Sequence, residues 1–313
     1  PIFLVFGAAF HTCVFTNTRS WFRWGPADAI YPGNVGGNFM VRLLPARRAS
    51  KRSGLAGDDV FGEIVAAHLG GEPAYEILER EDGFIGGTRG PSVYFQPFAE
   101  WMPHQREAMA FVTGRTIDIG AGAGRAALAL QDQGIDVTAI DNSPLAIRVC
   151  KQRGVRHAKV ADIRDLEQIA RRKFDTLLLL GGNFGLVQSP ARAKAVLALL
   201  HRGSTANARL VAESVDPYRP EVPGFLTYAK NGKRPSKHTW AGALRMRLRY
   251  RDMIGGWFDY LLVSPSEMEE LLDGTGWYVR EFLNPEGPGT YIALIEKEPA
   301  APAKARKPKR AKR

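Results

Sequence analysis

The chain has 313 residues, 45% of them apolar, enough for one large or two small globular domains. Its longest apolar window, the opening "PIFLVFGAAF", is too short to span a bilayer and lacks a secretory leader pattern, so the expectation is a soluble cytoplasmic protein without membrane contact. Two widely separated cysteines suggest neither a disulfide framework nor a thiolate metal site, and the formal charge of +11 sits at the two ends: residues 301–313 carry seven basic and no acidic groups, residues 1–57 are also basic, and the remainder is slightly acidic.

In chain order, residues 1–57 show no sustained periodicity. They read as an irregular extension, either preceding a native start near Met40 or docked on the domain. Residues 58–114 read as a helical lid or cap: a short amphipathic helix in "DVFGEIVAAHLGG", an extended or turn segment in "YEILEREDGFIGG", then "SVYFQPFAEW" and a helix over 103–112 with proline in its first turn. From Arg115 strands and helices alternate. "RTIDIG", "DVTAI", "HAKV", "KFDTLLLLGG" and "NARLVAES" read as strands. "GRAALALQDQ", "SPLAIRVCKQRG", "IRDLEQIARR" and "PARAKAVLALLHR" read as helices between them. That alternation predicts a doubly wound α/β sheet, and the unbroken apolar "KFDTLLLL" is what a strand covered on both faces requires.

The alternation then breaks. "ALRMRLRY" and "WFDYLLV" read as a β-hairpin in an insert spanning about 214–262. "SPSEMEELLDGTG" reads as a helix with a capping box from Ser264 and Glu267. The last two strands, "WYVREFL" and "TYIALIEKE", are joined by a link too short for a parallel crossover and must pair antiparallel. Residues 299–313 read as a basic disordered tail whose polyanion contacts are weak.

The strand-to-helix turn "TIDIGAGAGR" lets a ligand approach backbone and a helix N-terminus. Two ligands compete for it. "GAGRAA" satisfies the G-x-G-x-x-A dinucleotide pattern, with Asp141 then holding a ribose, which would make the protein an NAD(P)-dependent oxidoreductase. Against this, Asp118 lies two residues before the first glycine, where it repels a pyrophosphate and welcomes a cation. Asp162 follows the third strand, where a carboxylate can read an adenine amino group, and the sheet closes antiparallel.

On "DIGAGAG", "AIDNSP", "VADI" and the antiparallel closing pair, the chain resembles the class I S-adenosylmethionine-dependent methyltransferases from about Tyr94 to Glu298. The resemblance implies a Rossmann-like seven-stranded sheet with an antiparallel last strand, and a S-adenosylmethionine-binding domain over 115–298. It also implies roles. Gly120, Gly122 and Gly124 let S-adenosylmethionine approach the backbone; Asp141 accepts from its ribose; Asn142 lies beside the adenine, and Asp162 with Ile163 reads the adenine edge. Asp118 faces the methionine end, and Leu180 or Gly181 offers a carbonyl to the ammonium.

The acceptor side is less determined, because methyl transfer needs placement more than a nucleophile or metal in the protein. The loop "LLGGNFGLVQSP" lacks the Pro-Pro of base and amide methyltransferases, which favours a small-molecule acceptor over a nucleic acid; a nucleic-acid methyltransferase using the basic ends is the other alternative. Asn183 can present an amide there, or the loop can simply need glycine φ angles. Arg245, Arg247, Arg249 and Arg251 fall on one face of the hairpin, either solvated or drawing an anionic acceptor. Tyr94 and Trp101 are lid candidates, Trp257 and Phe258 acceptor-wall candidates. Tyr94, Glu100, His104, Asn183 and Glu213 are weak catalytic candidates.

Overall fold

The computed structural model describes residues 59–169, 172–219, 240–287 and 289–299. The extension read at 1–57 and the tail beyond residue 299 lie outside the described residues, as does the middle of the 214–262 insert.

Before the α/β alternation come helix α1 (Val60–Leu69), strands β1 (Ile77–Arg80) and β2 (Ile85–Gly87), two short 3-10 turns at Pro91–Tyr94 and Phe98–Glu100, and α2 (Pro103–Met109). Asp59 caps α1 by accepting from the Gly62 N–H at 2.9 Å. The alternating region runs β3 (Thr116–Ile119), α3 (Arg125–Asp132), β4 (Val137–Asp141), α4 (Pro144–Gln152), β5 (Ala158–Val160), α5 (Leu166–Ile169), β6 (Phe174–Leu179), α6 (Pro190–Arg202) and β7 (Ser204–Val215). Then follow β8 (Ala243–Tyr250), β9 (Met253–Ile254), β10 (Phe258–Leu261), α7 (Pro265–Leu272), β11 (Trp277–Leu283) and β12 (Thr290–Lys297).

The main sheet has seven strands in the order β11-β12-β7-β6-β3-β4-β5. β3 to β7 pair parallel, while β12 is antiparallel to both β7 and β11. β6 lies inside this sheet, and Phe174, Leu177, Leu178 and Leu179 are fully buried, each worth about 1.5–3 kcal/mol of apolar transfer. The predicted helix starts are built as read. Ser143 accepts from the Ala146 N–H at 2.9 Å with Pro144 at the first helical position, and Ser264 and Glu267 satisfy each other's backbone N–H groups at the start of α7.

Three details differ from the sequence reading. α2 stops at Met109 rather than residue 112. The helix expected over 163–172 begins as a 3-10 turn at Ile163–Asp165, because Asp162 and Asp165 cap it tightly, before α5. The hairpin of β8 and β10 does not stand alone. β1, more than 160 residues earlier, pairs antiparallel with the other edge of β8, Leu78 opposite Leu248, to give a second sheet β10-β8-β1-β2. Leu78, Leu244, Met246, Leu262 and Val215 pack together, so burial rather than chain proximity selects this pairing.

Candidate functional site

A cavity of about 610 Å³ opens where the parallel strands end and the second sheet faces them, within the usual range of small-ligand sites, roughly 300–1,000 Å³. One wall is the turn from β3 to α3. Gly120 and Gly122 both hold positive φ, 72° and 56°, which only glycine adopts without strain. Asn183 fixes this turn: its amide nitrogen donates to the carbonyls of Ile119 and Gly120, at 3.1 and 2.8 Å. A Cβ on Gly120 would lie 2.5 Å from that nitrogen.

Asp141, at the end of β4, is buried and accepts from the Gly122 and Ser143 N–H groups, each at 2.9 Å. Its carboxyl is raised by burial, against the pull of these two donors. Asp118 on β3 is buried beside it, and burial together with the Asp141 charge lifts its carboxyl to about 7. Asp118 Oδ2 is buried without a hydrogen-bond partner, an acceptor on the cavity wall awaiting a donor.

Most of the residues singled out in the sequence meet at this cavity: Tyr94, Asp118, Gly120, Gly122, Asp141, Asn142, Asp162, Ile163, Leu180, Gly181, Asn183 and Glu213 all line it. Asp162 does so while its carboxylate ion-pairs with Arg164 at 2.7 Å. Four expectations change. Gly124 stands behind the turn, where a Cβ would meet Val155 at 2.7 Å, so it serves helix packing rather than ligand approach. The Asn183 amide N–H groups are spent on the glycine turn, not offered to an acceptor. Glu100 is exposed on its 3-10 turn, away from the cavity. His104 is buried outside it, with Nε2 2.8 Å from Thr290 Oγ1; burial holds its pKa down.

Of the lid and wall candidates, Tyr94 and Phe258 line the cavity. Trp101 is instead packed beneath the Arg125 guanidinium, and Trp257 lies under that of Arg247, each about 4.4 Å away. The four-arginine face carries its own counter-ions. Arg247 and Arg249 both reach Glu79, whose carboxyl is held down to about 2, first by its hydrogen bond from Arg247; Arg251 pairs with Glu72, and Arg245 with Asp259 and Glu81.

Residues that carried no sequence signal complete the site. Gln105 on α2 donates to both Glu213 oxygens, at 2.9 and 3.0 Å, and Glu213 also accepts from the Gly181 N–H at 2.6 Å. The Tyr260 hydroxyl donates to the Gly182 carbonyl at 2.7 Å. The Tyr94 hydroxyl donates to Glu76 at 3.0 Å, and Phe61 stacks edge-on against Tyr94, its ring in contact distance of Gly122. Arg125 opens α3 beside Gln105. Apart from Arg125, which closes the glycine stretch, these residues come from short segments without motif or strong periodicity, and the pairing of β1 with β8 brings Glu76 and Tyr260 to one cavity. Among the described residues no cluster of His, Cys, Asp and Glu is arranged to hold a metal ion, and no helix is long and apolar enough to cross a membrane.

Residues 117–203 match the family model described as a methyltransferase domain. None of the curated proteins matches the chain in sequence. Among solved structures, the chain is similar to a SAM-dependent methyltransferase from Bacteroides fragilis in complex with S-adenosyl-L-homocysteine: 24% identity, 78% of this chain and 98% of that one covered, TM-score 0.65. Fainter likenesses reach the CcbJ methyltransferase from Streptomyces caelestis (13% identity, 66% and 95% covered, TM-score 0.47) and the 1,6-didemethyltoxoflavin-N1-methyltransferase from Burkholderia thailandensis (16%, 79% and 92%, 0.44). The matched segment spans the glycine turn, Asp141, Asp162 and the loop after β6, and the antiparallel end of the sheet completes the fold. Residues 117–203 are thus matched as a methyltransferase domain, and the chain shares the Rossmann-like α/β fold of the SAM-dependent methyltransferase from Bacteroides fragilis.

Proposed function

We propose that the cavity seats S-adenosylmethionine along the glycine turn and a small-molecule methyl acceptor beneath the second sheet. The cofactor-side residues fit the group. An unpartnered buried carboxylate oxygen on Asp118 suits a cationic ligand, and Gly120 and Gly122, held at positive φ, present the turn on the cavity wall. By this reading Asp141 accepts from the ribose hydroxyls, Asn142 lies beside the adenine, and Asp162 with the Ile163 backbone reads its edge. The Asp118 carboxylate and the carbonyls of Gly120 and Leu180 serve the methionine ammonium. Bound there, the cofactor supplies an electrophilic methyl on a sulfonium sulfur. The chain's own contribution is placement and exclusion of water, for which a well-oriented pair gains about 7–11 kcal/mol.

The observation that carries the acceptor reading is the roof. Leu78, Leu244, Met246 and Leu248 of β1 and β8 pack together and line the cavity, so an acceptor beside them meets apolar side chains. Polynucleotide binding instead asks for an open basic surface, and the hairpin arginines are tied to carboxylates. Methyl-labelled S-adenosylmethionine incubated with the protein and a fractionated cell extract tests this. Label is expected in the fraction below about 1 kDa, the size class such a chamber holds; label confined to RNA or protein would overturn the small-molecule reading.

A further inference from the structure

Of the acids on the cavity wall that the cofactor reading does not use, Asp59, Glu76, Glu213 and Asp259, Glu76 is set apart by its surroundings. Glu76 stands just ahead of β1, 7% exposed, on the cavity wall among Leu78, Leu244, Met246 and Leu248. Its side chain takes hydrogen bonds from the Tyr94 hydroxyl, at 3.0 Å, and from Thr88, and no described lysine or arginine pairs with it. A carboxylate buried without a cation costs several kcal/mol unless something supplies the missing charge. The other acids and the Tyr260 hydroxyl are committed, Asp59 to Ser143 and the Gly62 and Leu145 N–H groups. Glu213 accepts from Gln105 and Gly181, Tyr260 donates to Gly182, and Asp259 pairs with Arg245. Arg89 and Arg125 also line the cavity, Arg125 beside Gln105.

Glu76 lines the same cavity as the glycine turn. Gly122, Phe61, Tyr94 and Glu76 form a continuous chain of contacts: Phe61 lies against Gly122, its ring centroid is 5.3 Å from that of Tyr94, and Tyr94 bonds Glu76. An acceptor held at Glu76 therefore shares one cavity with the glycine turn.

We infer that the acceptor is a compact, largely apolar amine whose nitrogen is held and deprotonated by Glu76, with Tyr94 positioning that carboxylate. This deepens the small-molecule reading above and rests on it. The acceptor enters as an ammonium and gives one proton to the Glu76 carboxylate. Its freed lone pair forms the new C–N bond as the methyl's C–S bond breaks, the electron pair passing to sulfur, and Glu76 returns its proton to solvent when product leaves. Burial raises the Glu76 carboxyl, which brings it nearer to the basicity that such a proton transfer needs.

The test uses the full chain saturated with S-adenosylhomocysteine and follows binding of 2-phenylethylamine, N-methyl-2-phenylethylamine, 2-phenylethanol and phenylacetate by calorimetry. The two amines are expected to bind at least about tenfold more tightly than the alcohol or the acid, roughly 1.4 kcal/mol or more. Glu76→Gln should abolish that preference while S-adenosylhomocysteine affinity is kept; Tyr94→Phe, which keeps the carboxylate, should reduce it only partly. Equal or better binding of the alcohol or acid, no saturable amine binding, or an amine preference that survives Glu76→Gln would overturn the inference. The wild-type comparison stands even if a variant folds poorly. Failure of S-adenosylhomocysteine itself to bind would instead sink the cofactor reading and this inference with it, so the two failures are distinguishable.

Discussion

The side-chain amide of Asn183 donates to the Gly120 carbonyl at 2.8 Å, so the loop after β6 holds the glycine turn after β3 in shape. Gly120→Ala would place a Cβ on a residue with φ of 72° and 2.5 Å from Asn183 Nδ2. Relief requires moving the amide that fixes the turn. The expected outcome is a stability loss of about 1–3 kcal/mol and loss of measurable S-adenosylhomocysteine binding, read by urea denaturation and calorimetry. Unchanged affinity would mean the turn does not approach the ligand.

Glu213 knits three elements, taking N–H groups from Gln105 on α2 and from Gly181 after β6 while standing on β7. Glu213→Ala strands those donors in a buried site and is expected to cost about 2–3 kcal/mol. Glu213→Gln keeps the acceptor for Gly181 but turns an amide toward the Gln105 amide, so an intermediate loss is expected. Urea melts of the two variants order the effects.

The pH dependence follows from Asp118. Its carboxyl is lifted from an ordinary 3.8 to about 7 by burial and then by Asp141. The folded protein therefore binds a proton that the unfolded chain has released, and this contribution to stability is full below about pH 4 and lost as pH rises to about 7. Asp118→Asn removes the titration. Relative to that variant, the wild type should lose stability as pH goes from 5 to 7.5, and a difference independent of pH would contradict the assignment. A cationic ligand favours the ionised form, so affinity for S-adenosylmethionine should rise through the same interval in the wild type and flatten in Asp118→Asn.

Arg247 and Arg249 converge on Glu79 rather than on the cavity. Arg247→Ala and Arg249→Ala should each cost no more than about 1 kcal/mol, as partly exposed pairs do, and leave S-adenosylhomocysteine affinity unaltered. A marked fall in that affinity, measured by calorimetry, would show the arginine face acting on the site.

The main sheet was legible because its signals are local. Ser143-Pro144 and Ser264 through Glu267 announce helix starts, and the apolar run at 174–179 announces a strand covered on both faces. The gathering of the residues proposed for the cofactor at one cavity was legible for the same reason, since Asp118 and Asp141 stand on β3 and β4 and Gly120, Gly122 and Asp162 follow β3 and β5, strands whose order the alternation fixes. The acceptor half was not. Glu76 meets Tyr260 only because Leu78 pairs with Leu248 across more than 160 residues, and a four-residue strand carries too little pattern to announce its partner. Arg245, Arg247 and Arg249 alternate correctly along β8, yet the acids opposite them, Asp259 and Glu79, come from β10 and β1 and appear only once the sheet is assembled. Gly124 and Asn183 were placed in the right segment and given the wrong task, because the partners that decide it, Val155 and the Gly120 carbonyl, lie on other elements.

Calorimetric titration of the full chain with S-adenosylhomocysteine and, separately, with NADH and NADPH tests the central claim most directly. The account predicts saturable one-to-one binding of S-adenosylhomocysteine, abolished in Gly120→Ala, and no binding of either nicotinamide nucleotide. Saturable binding of NADH or NADPH with none of S-adenosylhomocysteine would contradict it, and would return the glycine turn to the dinucleotide reading that its spacing alone allows.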